Sequence, residues 1–220
     1  LERIYSEKIG DVTKDYDFLS ESWSNKLGDG DSPVFKNFDL GNGKFVVKYD
    51  YREAKDEPPQ ILYGMQDECS KLNINKIIDE DGITTADVLR TAFINLLTAL
   101  DISSVEPERL VDRFLDWVDS DSDVRAKGKE DYADQGIAAK NKRLDTPEEL
   151  LMIDGFTPDA VTKLFDYATI YTDGPVNINT AAKEVLLAFG LSEDAAGYII
   201  NYRKQNAIRT IDELKVDPIK

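Results

Sequence analysis

The sequence predicts an α+β protein in which a helix and a small antiparallel sheet precede a long all-helical segment. Apolar residues recur at helical spacing over residues 1–27 and alternate at period two from about residue 35 to residue 49. From residue 84 onward, capped helices follow one another. We therefore divide the chain into residues 1–83, which hold the first helix and the sheet, and residues 84–220, which hold the helical domain.

The first helix is predicted from an apolar stripe whose steps are mostly three, four and seven residues. The stripe consists of Leu1, Ile4, Tyr5, Ile9, Val12, Tyr16, Leu19, Trp23 and Leu27. The run Gly-Asp-Gly-Asp-Ser-Pro at 28–33 ends this helix. Alternating apolar residues then flank Asn42-Gly43, a strong signal for a β-hairpin turn. Residues 61–65 and 71–75 are predicted as further short strands.

The helical segment is predicted from its capping residues. Thr84 or Thr85 opens a helix over residues 86–100, and Pro107 lies in the first turn of the next helix. Two Thr-x-x-Glu capping boxes begin at Thr146 and Thr210. Thr157 and Ser192 are the expected N-caps of two other helices.

A faint internal repeat relates residues 149–157 to residues 184–192. Each copy contains the end of a helix, a glycine turn, a polar cap and the start of a new helix, which is the pattern of a helix-hairpin-helix element. Such elements can present backbone N–H groups to a nucleic-acid phosphate. The phosphate-binding examples have a Gly-x-Gly turn, and in this chain Ser192 stands in place of its second glycine. Glu193 and Asp194, in the first turn of the next helix, would repel phosphate. A nucleic-acid-binding module of a competence-type protein therefore remains only the alternative function.

Composition excludes several function classes. The chain has 43 acidic and 27 basic residues and a formal net charge of −16, which argues against binding to a phosphate backbone. It has no histidine, so neither a Ser-His-Asp triad nor a zinc site with imidazole ligands can form. With Cys69 as its single cysteine, the chain has no internal disulfide.

The sharpest chemical signal is an acidic loop that begins at Asp119. Acidic residues occupy positions one, three, five and twelve of this loop, the ligand spacing of a calcium loop. Val124 stands where a regular EF-hand has glycine. Calcium is favoured over zinc because all the ligands are hard oxygens. The predicted ligands are Asp119, Asp121, Asp123 and Glu130, with Asp131 as a further ligand and a backbone carbonyl near Arg125. The alternative is a solvated acidic loop, and no catalytic residues are predicted.

An ordered set of short motifs resembles the K-type minor pseudopilins of the type II secretion system, also called the general secretion pathway protein K family. The motifs occur in the same order as in the family, over roughly residues 60–215. The ordered set is specific, but each motif alone is weak evidence for the resemblance. It comprises Asp67-Glu68-Cys69-Ser70-Lys71-Leu72-Asn73-Ile74-Asn75, Asp116-Trp117-Val118-Asp119-Ser120-Asp121, Gly128-Lys129-Glu130-Asp131-Tyr132, Lys140-Asn141, Glu148-Glu149-Leu150, Gly155-Phe156-Thr157, Asn177-Ile178-Asn179-Thr180-Ala181 and Tyr202-Arg203.

The resemblance implies a pseudopilin fold, a long N-terminal helix on a small antiparallel sheet, with a large helical domain inserted. It implies calcium at the acidic loop and a structural, non-enzymatic place at the tip of a pseudopilus. The implied partners are I-type and J-type minor pseudopilins and other pseudopilus subunits, without nucleic acid. It also implies the periplasmic side of the inner membrane, reached through a hydrophobic N-terminal helix. That helix, and the final strands of the family, are absent from this sequence.

Overall fold

The computed structural model describes residues 17–19, 21, 23, 24, 35–173 and 175–214. The strands in these residues are β1 Phe38–Leu40, β2 Gly43–Phe45, β3 Tyr49–Tyr51, β4 Gln60–Leu62, β5 Leu72–Asn73 and β6 Ala168–Thr169. The α-helices are α1 Asp87–Ala99, α2 Pro107–Val118, α3 Pro158–Leu164, α4 Lys183–Ala188 and α5 Glu193–Arg203. Single-turn or two-turn 3-10 helices cover Glu68–Ser70, Ile74–Lys76, Ala133–Gln135, Pro147–Met152 and Ile211–Glu213.

The described strands form three separate pairs. β1 pairs with β2 and β3 with β4, both antiparallel. In the first pair Leu40 is opposite Gly43, so the turn residues are Gly41 and Asn42 and not the predicted Asn42-Gly43. Gly41 has φ +63°, a conformation that glycine adopts without steric cost.

The third pair corrects the prediction of a purely antiparallel sheet. β5 and β6 are parallel, with Leu72 opposite Ala168. Parallel strands need a long crossover connection, and here the connection contains α1, α2 and α3. The pairing thus joins a strand of the predicted first domain to a strand inside the predicted helical domain.

The described part of the predicted first helix is not helical. Residues 17–19, 21, 23 and 24 contain turns and a bend and none of them is helical, so the helix prediction is wrong there. The Glu21 carboxylate accepts hydrogen bonds from the Phe18 N–H and the Trp23 indole N–H, both at 2.9 Å. Such local side-chain bonds compete with the helical hydrogen-bond pattern. The remainder of the predicted helix lies outside the described residues, as do Val12 and Tyr16.

Most predicted caps of the helical segment are confirmed. Pro107 is the first residue of α2, and the Thr157 and Ser192 side chains cap α3 and α5. The capping box of Thr146 and Glu149 is present, although it opens a 3-10 helix. α1 differs, since its N-cap is Ala86.

One continuous core unites the described helices with β5 and β6. Its fully buried residues include Leu72, Ile77, Phe93 and Phe114, and it extends to Leu214. The predicted domain boundary at residue 83 does not coincide with a break in this core, and the division itself stays a prediction. Within the described residues, no helix is long and apolar enough to span a bilayer.

Candidate functional site

The acidic loop follows α2, and its first carboxylates belong to that helix. Leu110, Phe114 and Leu115 are fully buried, so this face of α2 faces the core. Asp116 lies on the buried side and is 0% exposed, and Asp119, the C-cap, is 1% exposed. The helix geometry therefore places two acidic side chains where water does not reach them.

Arg125 contacts both buried carboxylates. Its backbone N–H lies 3.2 Å from each Asp116 oxygen, and its Nε lies 3.4 Å from Asp116 Oδ1. The Arg125 Nη2 donates to Asp119 Oδ2 at 2.7 Å. Asp116 thereby anchors the loop, while one guanidinium serves two carboxylates and leaves part of their charge uncompensated.

Gly128 lets the chain pass close to Asp116. A Cβ at residue 128 would lie 1.8 Å from Asp116 Oδ2, well inside contact distance. Beyond it, the Tyr132 ring packs edge-on against the Trp117 indole with ring centroids 5.1 Å apart. Both rings are buried, so they fix the two ends of the loop against the core.

Four side-chain oxygen atoms around this loop are buried and have no hydrogen-bond partner. They are Asp119 Oδ1, Glu130 Oε1, Asn141 Oδ1 and the Tyr132 hydroxyl oxygen. Buried polar atoms in native structures are nearly always paired, so orphaned oxygens indicate a missing partner such as a water or a cation. Calcium and magnesium both take oxygen ligands of these kinds.

The other predicted ligands are oriented differently. Asp121 is half-buried and its Oδ1 accepts the N–H of Asp123 at 2.8 Å. Asp123 and Asp131 are exposed, and Asp131 accepts the N–H of Ala133 at 2.8 Å. Across the described part of the chain, no three Asp, Glu or Cys side chains are arranged to hold a metal ion. The ligand set of five carboxylates therefore stays a prediction, with Asp119 and Glu130 its best-supported members.

Three carboxylates at this loop, those of Asp116, Asp119 and Glu130, have raised pKa values. Burial, together with the charges of Asp116, Asp119 and Asp121, raises the pKa of Glu130 to about 7. Burial raises the pKa of Asp116 to about 6, although hydrogen bonding from the Arg125 backbone opposes this. The pKa of Asp119 is also raised, chiefly by burial. A divalent cation would relieve the repulsion that these shifts report.

A hollow of about 290 Å³ opens beside the loop. Its lining residues are Ser122, Glu130, Asp131, Ala138, Ala139 and Asn141. The sequence reasoning assigned no role to Ser122 or Asn141. Asn141 did stand in the quoted Lys140-Asn141 motif, but its distance along the chain from the acidic loop gave no reason to place it there.

The residues considered for nucleic-acid binding have structural roles. Ser192 accepts the N–H of Ala195 at 3.2 Å and caps α5. Arg203 is 5% exposed, and its Nη1 donates to the carbonyls of Ile178 and Ala181 at 3.0 and 2.6 Å. The guanidinium is therefore committed to the protein interior. Gly190, with φ +87°, forms the turn between α4 and α5, whose residues Leu186, Ile199 and Ile200 are buried.

Comparison with known proteins shows a family to which part of the chain is similar. Residues 70–173, which include the acidic loop and the hollow, match the family model described as type II secretion system, protein K. Residues 70–173 are therefore similar to the protein K family. The predicted resemblance to K-type proteins is thereby confirmed.

Two further similar proteins extend the comparison. The type II secretion system protein K of Pseudomonas aeruginosa is 25% identical over 164 residues, covering 72% of this chain and 49% of the relative. The chain thus spans about half the length of this curated relative. A chain of the crystallised GspK-GspI-GspJ complex from enterotoxigenic Escherichia coli aligns with a TM-score of 0.64. That alignment covers 98% of this chain and 70% of the other chain at 18% identity, so it shows a shared fold.

Proposed function

We propose that this chain belongs to a K-type minor pseudopilin, a structural component at the tip of a type II secretion pseudopilus. The observation that carries this proposal is the match of residues 70–173 to protein K. The shared fold with a chain of the GspK-GspI-GspJ complex supports the same assignment. The role is structural and not enzymatic, because the family is one of secretion-system assembly proteins.

The proposed partners are the I-type and J-type minor pseudopilins, with which the chain forms the tip, and further pseudopilus subunits below it. A bulky helical domain at the end of a filament blocks the addition of further subunits above it. The assembly lies on the periplasmic side of the bacterial inner membrane, and attachment before assembly uses a single hydrophobic helix of the full-length protein. The tip supports export of proteins across the outer membrane.

Mixing experiments with purified partners test this assignment. The chain is combined with the soluble domains of the I-type and J-type proteins from the same organism, and the mixture is analysed by size-exclusion chromatography with light scattering. We expect a complex containing one copy of each chain. Separate elution of all three at tens of micromolar would contradict the proposal. A parallel arm with duplex DNA tests the alternative, a helix-hairpin-helix nucleic-acid module, which the burial of Arg203 disfavours.

We also propose that the acidic loop binds calcium. Asp119 and Glu130 each offer a buried oxygen without a partner, and their pKa values are raised by burial and by neighbouring acids. Asp121, Asp123 and Asp131 are the further predicted ligands, with a backbone carbonyl near Arg125. The ion would supply positive charge that the single guanidinium does not provide, and so would stabilise the folded loop.

Calorimetric titration measures this binding directly. CaCl2 added to the protein after chelator treatment should give a saturable heat and a rise in melting temperature, and MgCl2 should give a smaller rise. Glu130→Gln should weaken binding strongly, because it removes a charged ligand at nearly constant shape. Asp134→Asn is the matched control, since Asp134 is exposed and carries the same charge. An unchanged melting temperature with calcium would leave a solvated acidic loop as the correct interpretation.

A further inference from the structure

An apolar groove crosses the surface of the helical segment between α1 and the turn that joins α4 to α5. Two neighbouring hollows of about 390 and 290 Å³ form it, and Phe189 lines both of them. Leu89, Leu186 and Leu191 line the larger hollow, and Val88 lines the smaller one. The groove shares no lining residue with the hollow beside the acidic loop, so it is a separate feature of the surface.

Packed helices build this groove. Asn95 of α1 donates from its Nδ2 to the Ala188 carbonyl at 3.1 Å, which fixes α1 against the end of α4. Ala92 on the α1 side and Leu186 on the α4 side are both buried core residues. The floor of the groove is therefore part of the core, and its shape is formed before any ligand binds.

The opening of the groove exposes apolar side chains. Val88 is 71% exposed, and Phe189 and Leu191 are half-buried. Apart from Asn73 and Lys76, every residue that lines the larger hollow is apolar. A preformed apolar hollow with few polar groups and a partly exposed aromatic ring is typical of a surface that binds a partner.

The charge at the rim of the groove is negative. Lys76 lines the larger hollow, but the exposed Asp173 pairs with its Nζ at 3.1 Å. Lys183 of α4 is also paired, with Glu193 at 2.5 Å. Asp87 lines the smaller hollow and adds an exposed negative charge. In a chain with a net charge of −16, this rim attracts cationic groups and repels the same face of a second copy.

We propose that this groove binds an apolar segment of a partner protein that carries Lys or Arg beside its apolar side chains. The apolar side chains fill the two hollows against Phe189 and Leu191, and the basic side chains lie near Asp87 and Asp173 at the rim. Burial of the exposed apolar surface supplies the affinity, and the acidic rim selects basic partners over acidic ones. This binding site is additional to the proposed role in the pseudopilus tip and rests on the groove alone.

Short synthetic peptides test the groove on the unchanged chain. The first peptide combines Leu and Phe with Lys. The second has Glu in place of each Lys, and the third keeps Lys but has Ser in place of each apolar residue. Fluorescence anisotropy of the labelled peptides is measured at physiological ionic strength, which screens attraction between distant charges.

A pair of variants locates the binding. Leu191→Lys places a positive charge inside the groove. Leu151→Lys is the matched control, because Leu151 is exposed, lies outside both hollows and gains the same charge. Methyl NMR of the unchanged chain gives a second measurement that does not depend on the folding of any variant.

We expect the first peptide to bind saturably and about tenfold or more tightly than the other two. Leu191→Lys should weaken its binding about tenfold or more, and Leu151→Lys by less than about threefold. The methyl signals of Val88, Leu89 and Leu191 should shift when the first peptide is added.

Several results would overturn the proposal. If the first peptide does not bind, or if its methyl shifts lie away from the groove, the groove is not its site. Equal binding of the second peptide would contradict selection by the acidic rim, and equal binding of the third would contradict the apolar contacts. Equal weakening by both Lys variants would reduce the effect to overall charge. A dimer of the unchanged chain that Leu191→Lys dissociates would make a second copy the occupant instead.

Discussion

Replacing Gly128 by alanine tests whether Asp116 holds the acidic loop. The added Cβ would lie 1.8 Å from Asp116 Oδ2 and 2.6 Å from its Cγ, distances that no real contact reaches. Asp116 is fully buried and both its oxygens lie 3.2 Å from the Arg125 N–H. The carboxylate therefore cannot move aside without losing a hydrogen bond in a buried site.

The size of the effect follows from two terms. Overpacking of a buried site costs about 1–3 kcal/mol, and losing a hydrogen bond to a charged group costs about 1.5–3 kcal/mol. For a chain of this length each kcal/mol lowers the melting temperature by about 2–4 °C. The two terms together give about 2.5–6 kcal/mol, so we expect Gly128→Ala to melt about 5–24 °C lower. Gly197→Ala is the matched control, because its Cβ meets nothing within 4 Å and it lies inside α5. It should raise stability by up to about 1 kcal/mol.

Urea and thermal unfolding in chelator measure both variants without any contribution from metal. A double-mutant cycle with Asp116→Ala then isolates the clash, because that change removes the atoms that the new Cβ meets. The double variant should be more stable than the sum of the single losses by about 1 kcal/mol or more. Additive losses, or a Gly128→Ala melting temperature within a degree of the unchanged protein, would refute this account of the loop anchor.

Three further predictions address other parts of the molecule. Leu19→Asp should unfold or aggregate the protein, since Leu19 is 7% exposed and an unpaired charge would be buried there; an unchanged melting temperature would refute its packing. Arg203→Gln should lower the unfolding free energy by about 3 kcal/mol in urea titrations, because two carbonyls lose a buried guanidinium donor; a loss below about 0.5 kcal/mol would contradict this. Burial raises the pKa of Glu130 from 4.5 to about 7, so the folded state favours its protonated form. That stabilisation is complete below pH 4.5 and is lost as pH rises through 7. In chelator, the melting temperature should thus fall between pH 5 and pH 8 by more than in Glu130→Gln, and parallel profiles would exclude Glu130 as the cause.

Local signals in the sequence predicted the helix starts well. The caps at Thr146, Thr157 and Ser192 depend on contacts within a few residues, which the sequence order contains. The same reasoning failed at Thr84 and Thr85, because α1 begins at Asp87 with Ala86 as its N-cap, while the Thr84 hydroxyl donates to the Asp81 carboxylate in the preceding turn. Competition between equally local partners is decided by the surrounding fold, and the spacing of residues does not reveal which partner wins.

Contacts between segments that are distant along the chain could not be predicted from the sequence. The parallel pairing of Leu72 with Ala168 needs the helices between them to return the chain to the same place. The spacing of Asp119 and Glu130 did identify both as candidate ligands, and both have unpaired buried oxygens. The spacing could not show that Asp121 turns its carboxylate back onto the Asp123 N–H. The spacing of residues gives the order of potential ligands along the chain. The direction in which each side chain points depends on the fold.

The burial of acid at the end of α2 is costly for stability alone. Asp116 and Asp119 are almost completely buried, and Arg125 is the cation that pairs with each of them in the described residues. Replacing buried ion pairs by apolar residues of similar volume is often neutral or stabilising, so such pairs are weak support for a fold. Here the pairing is also incomplete, because Asp119 Oδ1 has no partner and Glu130 lies close enough to repel both acids. Stability alone therefore gives only weak reason for burying these acids. The uncompensated charge supports the proposal that Asp119 and Glu130 are ligands of a cation, whose binding would convert the repulsion among the acids into attraction.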